Sequence, residues 1–275
     1  MKKVLFASTA LVMTAGVAAA DVTISGSANM GVKSIGGVTS VTNEIDFDVK
    51  GSGSTDSGIS FGASVDLDAS QSNTVAGADV GTGANDPEVF ITYEGLTLTV
   101  GAVGSAGDQG GLKDVGFDEI GIDNSAEIGA FAARNVHVAY SFGDVNVAVS
   151  MDSTSGTNTW ALGVNGSIDA FSYAIGYAEN GANDTTTATV GYSAGAIAAN
   201  LFYVNNGTNT GQGIDISYTS GDLTLTAVYA DNNAAGKQDS YGIGFAYDLG
   251  GATLAGGFGE AKGVSVADLG VSFSF

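Results

Sequence analysis

The 275-residue chain carries 29 acidic and 8 basic residues, a formal net charge of −21. That balance excludes nucleic-acid partners, which need a basic footprint, and the absence of cysteine excludes a disulfide framework and a thiolate metal site. An apolar share of 44% is too high for a disordered acidic chain, and the 43 glycines follow no Gly-X-Y period, so the chain is not collagen-like.

The chain opens with Lys2 and Lys3, an apolar run from Val4 to Ala18, and the small residues Ala18-Ala19-Ala20. This is the layout of a secretory signal peptide over residues 1–20. The run is shorter and richer in small residues than the roughly 20 apolar residues of a spanning helix. Residues 21–275 are then the expected folded unit; without the two lysines the charge moves from −21 to −23.

From Asp21 onward the dominant signal is a period of two. Val22, Ile24, Gly26, Ala28, Met30 and Val32 alternate with polar or small residues, as do Ile45, Phe47 and Val49, then Phe61, Ala63, Val65 and Leu67. Such alternation predicts strands with one apolar and one polar face. Six pairs of strands follow. Their turns are Glu94-Gly95, Gly143-Asp144, residues 166–170, Ala194-Gly195, Gly221-Asp222 and Gly250-Gly251. Glycine suits hairpin turns because they require positive φ. The other connections are longer and polar: 69–87, 152–158, 179–185, 204–211, 230–239 and 259–264. The only proline, Pro87, opens a strand, where a missing N–H is tolerated. The chain ends in VADLGVSFSF, alternating up to its last residue, Phe275.

The pattern predicts one sixteen-strand antiparallel meander. Two solvents could meet its apolar faces. In a secreted, acidic, Gly-rich β-protein, acting as a binding or adhesion module, they would turn inward against each other. In a transmembrane barrel they would turn to lipid. Aromatics at segment ends (Tyr93, Tyr140, Phe142, Tyr177, Tyr192, Tyr203, Tyr218, Tyr229, Tyr247) match the girdles of a barrel. A strand that runs into the terminus also fits a barrel, because closure needs the last strand to pair with the first.

Three stretches carry a family resemblance: DVTISGSANMGV, GSGSTDSGISFGASVDLDAS, and AYDLGGATLAGGF followed by VADLGVSFSF. With them the chain resembles the general trimeric porins of Gram-negative outer membranes, of the photosynthetic and related α-class bacterial type. The resemblance implies an all-β, sixteen-stranded barrel and passive diffusion of ions and small hydrophilic solutes, with no reaction. It also implies a homotrimer among outer-membrane lipid and lipopolysaccharide, and a terminal strand, with Phe273 and Phe275, read by the barrel-assembly machinery. It further implies that the third long connection folds inward. Here that connection spans about Val103 to Ala133, and its acids are Asp108, Asp114, Asp118, Glu119, Asp123 and Glu127. The family usually sets several arginines opposite this loop, whereas this chain has one, Arg134.

By parity Lys33, Glu44, Asp46, Asp48, Lys50, Asp66 and Arg134 face the lumen, with His137 on the wall. The acids outnumber the bases, so cation selectivity is expected, with Arg134 as its main local opponent. His137 is the only histidine, and no Ser–His constellation accompanies it, so it reads as wall rather than catalyst. GGLKDVGFD has a trace of a calcium-binding repeat, but it occurs once and Lys113 breaks it. Two readings of cofactor content stand: none, or one structural calcium on Asp114, Asp118 and Glu119, since calcium takes clustered carboxylates and the resembling porins can carry such ions. The small outward residues Gly26, Ala28 and Ala63 would permit close subunit contact.

Overall fold

A computed structural model describes residues 21–73, 86–118, 120–128, 131–154, 156, 159–181 and 184–275. The expected signal peptide and Glu119 lie outside these residues. Sixteen strands follow one another: β1 Asp21–Ile35, β2 Val38–Ser54, β3 Ser60–Asn73, β4 Glu88–Tyr93, β5 Leu96–Val103, β6 Arg134–Phe142, β7 Val145–Met151 and β8 Thr159–Ile168. They continue as β9 Phe171–Asn180, β10 Asp184–Ala194, β11 Ile197–Asn205, β12 Thr210–Ser220, β13 Leu223–Asn232, β14 Ser240–Asp248, β15 Thr253–Ala261 and β16 Val264–Ser274. Each pairs antiparallel with its chain neighbours, and β16 pairs with β1, so the sheet is a closed barrel.

The alternation read from the sequence sets which solvent each face meets. Ile24, Leu201 and Phe258 are 67%, 57% and 61% exposed; such residues form an outer apolar belt of the kind that a membrane barrel turns away from water. Aromatics border it at both ends. Near the short turns Tyr140 stacks on Phe142 at 5.8 Å, and Phe171 meets Tyr192 at 5.1 Å. Near the long connections Trp160 meets Tyr177 at 5.4 Å. Among the described residues no helix is long and apolar enough to cross a membrane; the strands do the crossing, with every ladder hydrogen bond made inside the sheet.

The turns follow backbone chemistry. Glu94 (φ 47°) and Gly95 (φ 85°) both sit in the left-handed region that a two-residue hairpin needs. Lys262 (φ 48°) and Gly263 (φ 85°) do the same. The expected long connection 259–264 is therefore only this two-residue turn, because Gly259–Ala261 and Val264 extend the β15–β16 ladder. Strands also reach further than the alternation suggested at 69–73, 179–180 and 184–185. Polar rim residues hydrogen-bond as well in a strand as in a loop, so polarity alone did not mark those ends.

The seam between β1 and β16 is paired to the end of the chain. Gly26 N donates to Phe275 O and Phe275 N donates to Gly26 O, both at 2.9 Å. The Phe275 ring packs edge-on against Phe47 at 5.6 Å and beside Phe273 at 6.2 Å. That ring covers Gly26, where an added Cβ would stand 2.6 Å from it. Gly26 thus makes room for the terminal aromatic of its own chain. Deleting Phe275 removes two closing bonds, about 1 kcal/mol each, and an aromatic contact of about 0.5–1.5 kcal/mol. The yield of heat-modifiable barrel on denaturing gels is expected to fall well below that of a Thr208 deletion in the exposed 206–209 connection.

Candidate pore and its constriction

The connection from β5 to β6, residues 104–133, enters the barrel and lies along its inner wall. Its outgoing limb starts at β7, where Ala106 N donates to Ser150 Oγ at 2.8 Å. Thr187 and Thr189 of β10 donate to Gly107 O and Gln109 O at 2.8 and 2.9 Å. At β12 the buried Asp215 carboxylate accepts Lys113 N at 3.0 Å and also Asn200 Nδ2. At β16 the Asp268 carboxylate accepts Phe117 N and Asp118 N, both at 2.7 Å, while its other oxygen takes Gly257 N at 2.9 Å. The tip then crosses the seam. Asp118 Oδ2 lies 3.2 Å from Lys33 Nζ on β1 and accepts Thr42 Oγ1 of β2 at 2.9 Å.

The return limb contains one 3₁₀ turn, Asp123–Ser125, in which Asp123 is buried. Ser125 is bonded to Ser240 of β14, and Asn232 of β13 donates to Ser125 O at 2.6 Å. Between the limbs and the wall lies an apolar core inside the lumen. Leu112, Val115, Ile120, Ile122 and Ala126 of the loop pack on Phe202, Val204, Val228, Ala230 and Val266 of β11, β13 and β16. Wall glycines let the loop lie this close. A Cβ at Gly163 or Gly211 would collide with the carbonyl oxygens of Ala106 and Ala126.

The sequence-predicted site residues separate into groups. Lys33 and Asp118 meet as the tip ion pair. Arg134 is buried at the loop root, where its guanidinium donates to Ala132 O, Ala133 O, Glu179 O and Asn180 Oδ1. It therefore fastens the end of the loop and does not stand on the open wall as the opposing charge expected from parity. Lys50 lies over the Phe90 ring at 5.3 Å. On the free wall Glu44 accepts Asn29 Nδ2 at 3.1 Å, Asp46 accepts Ser27 Oγ at 3.0 Å, Asp66 is half-buried and Asp48 is exposed. His137 is half-buried on β6, across a cavity of about 320 Å³ that Glu88, Thr99, Asp108 and Gln109 also line. Asp114 and Glu127 are exposed on the loop.

For calcium, Asp118 is committed to Lys33 and Thr42, Glu119 lies outside the described residues, and no three acidic or histidine side chains among the described residues converge as metal ligands. Asp215, Asp268 and Glu88 were not singled out from the sequence. Their only signal was inward parity within a strand.

A family model described as Gram-negative porin matches residues 7–272. The chain belongs to the Gram-negative porins. Solved structures share its fold. A quintuple mutant of Rh. blastica porin is 24% identical, with a TM-score of 0.78, over 92% of this chain and 100% of that one. A triple mutant of that porin with two introduced tryptophans is 23% identical, with a TM-score of 0.77 and the same coverage. No curated protein matches the chain. The porin is a non-enzymatic channel of the Gram-negative outer membrane, and its apolar faces are lipid-facing rather than the buried core of a secreted module.

Asp268→Ala leaves three N–H groups without their acceptor, about 1–3 kcal/mol for each one that stays buried. Most of that cost falls on loop seating, since two of the three N–H groups, those of Phe117 and Asp118, belong to the loop tip. The expected outcome is a heat-modifiable barrel with higher and noisier single-channel conductance in planar bilayers; native conductance would show that the tip is held by other contacts.

Proposed function

We propose that this porin is a cation-selective diffusion pore for ions and small hydrophilic solutes, working as a homotrimer. The observation that carries the reading is the excess of acidic over basic side chains on the lumen wall and loop. Of the inward basic residues, Lys33 is ion-paired, Arg134 is buried at the loop root and Lys50 lies over a ring, while Lys113 Nζ donates to Ser217 Oγ at 3.0 Å. Opposite them the wall and loop carry Glu44, Asp46, Asp48, Asp66, Glu88 and Asp108. Low-dielectric walls focus the field of such charges, and a ring of acids favours cations. The small residues Ala28 and Ala63 support subunit contact at β1–β3, and the aromatic girdles support an annulus of lipid and lipopolysaccharide. Residues 1–20 read as the export signal, and the terminal Phe strand as the signal to the assembly machinery.

The reversal potential across a potassium chloride gradient tests selectivity. A cation-selective sign is expected, weakening as the Debye length shrinks from about 10 Å at 0.1 M to about 3 Å at 1 M salt. An anion-selective sign would overturn the reading. Arg134→Ala is expected to disturb loop seating, seen as altered conductance, more than it changes the sign or size of the selectivity, because the guanidinium is buried at the loop root and holds Ala132 O, Ala133 O, Glu179 O and Asn180 Oδ1 rather than facing the open lumen.

A further inference from the structure

His137 is the only histidine of the chain, and the sheet places its imidazole on the lumen side. The neighbouring Val138 is exposed on the outer face, so His137 points inward. Its register partners are Thr99 on β5 and Ser150 on β7. Ser150 Oγ accepts Ala106 N, the first anchor of the constriction loop, so the ring stands on the wall where the loop sets out. His137 is half-buried and lines the cavity of about 320 Å³ between this wall and the outgoing limb. Two carboxylates line the same cavity, Glu88 from β4 and Asp108 from the limb itself. The flanking strands β5 and β7 present Thr99 and Ser150, which carry no charge. The other charges of this arc are engaged elsewhere. Lys50 lies over the Phe90 ring, Arg134 is buried at the loop root, and Asp152 accepts Asn135 Nδ2 at 3.3 Å.

Imidazole is the side chain whose charge ordinarily changes between pH 5 and 8. While it is neutral, the charges of Glu88 and Asp108 act on ions in the lumen unopposed. Once protonated, it sets a positive charge in the same cavity and offsets one of them. Low-dielectric walls focus such a field, and a unit charge roughly 7 Å from an ion changes its occupancy about threefold even at the dielectric of water. We propose that His137 is a selectivity-determining residue of the pore, whose protonation weakens the preference for cations on the acid side of neutrality. The inference rests on the cation-selective reading for the direction from which selectivity starts, and adds to it a residue and a pH range. Ordinary carboxylates lose their charge at about pH 4. Burial raises the Asp108 carboxyl above the usual carboxylate range, so Asp108 is the rival to His137, and separate variants distinguish the two.

The test is the reversal potential of the native protein in planar bilayers, across a potassium chloride gradient at low ionic strength, in steps from pH 8 to pH 5. The potassium-to-chloride permeability ratio is expected to fall about threefold over that range. His137→Gln should lose the fall, and His137→Arg should hold the ratio near its acid value at every pH. Asp108→Asn should lower the ratio at pH 8 and keep the fall. A native ratio that stays constant, or a fall that survives in His137→Gln, would overturn the assignment; in the second case its loss in Asp108→Asn would hand the response to Asp108. The two readings fail separately. An anion-selective sign at pH 8 defeats the cation-selective reading alone, while a drift toward anions on acidification, present in the native pore and absent in His137→Gln, still supports the role of His137.

Discussion

Closure of the sheet is the constraint on which the other features depend. In hydrocarbon an unpaired backbone N–H or C=O costs several kcal/mol, so β1 and β16 must find each other, and they pair from Ser27–Ser274 to Ile35–Val266. The same seam then acquires a second task. Asp268 of β16 and Lys33 of β1 are direct register partners, and both hold the tip of the constriction loop. Asp268 takes its backbone N–H groups, and Lys33 takes its Asp118 carboxylate. The carboxylate and the ammonium that set the tip come together only once the ring is shut. Loop placement is therefore downstream of barrel closure.

A wall that is apolar outside and polar inside leaves a loop nothing to pack on. This barrel provides for it by breaking the inner polarity over one arc. Phe202, Val204, Val228, Ala230 and Val266 point inward, where a water-filled lumen would call for polar groups, and the apolar residues of the loop cover them. Buried carboxylates at Asp215 and Asp268 fix the loop's position over that arc. The opposite arc, β2 to β6, keeps acids such as Glu44, Asp48, Asp66 and Glu88 on its inner face.

Much of this was legible in the sequence. The period of two, the glycine turns and the terminal alternation gave sixteen strands and their closure, because side-chain direction in a strand is a local property. The apolar inward residues were legible by the same parity but look like imperfect alternation until their partner is known. Leu112, Val115 and Ile122 sit in a loop with no period to announce a buried face. Arg134 shows the limit most clearly: parity placed it inward correctly, but only the return of the chain at Ala132 and the neighbouring Glu179 and Asn180 decide that its donors fasten the loop root. Asp268 read as one polar residue among several in the last strand, since its partners lie 150 residues away.

The glycines under the loop have an evolutionary corollary. Where Ala106 and Ala126 lie over Gly163 and Gly211, main chain rests on main chain with no side chain between to absorb a change. Wall and loop can only drift together: a methyl gained on the wall demands a compensating retreat of the loop, and a loop transplanted from a relative meets a surface cut to a different path. Chimaeras that exchange the loop alone should accordingly misfit, while those that exchange it with the arc from β7 through β16 to β1 and β2 should carry the seating of the loop over intact.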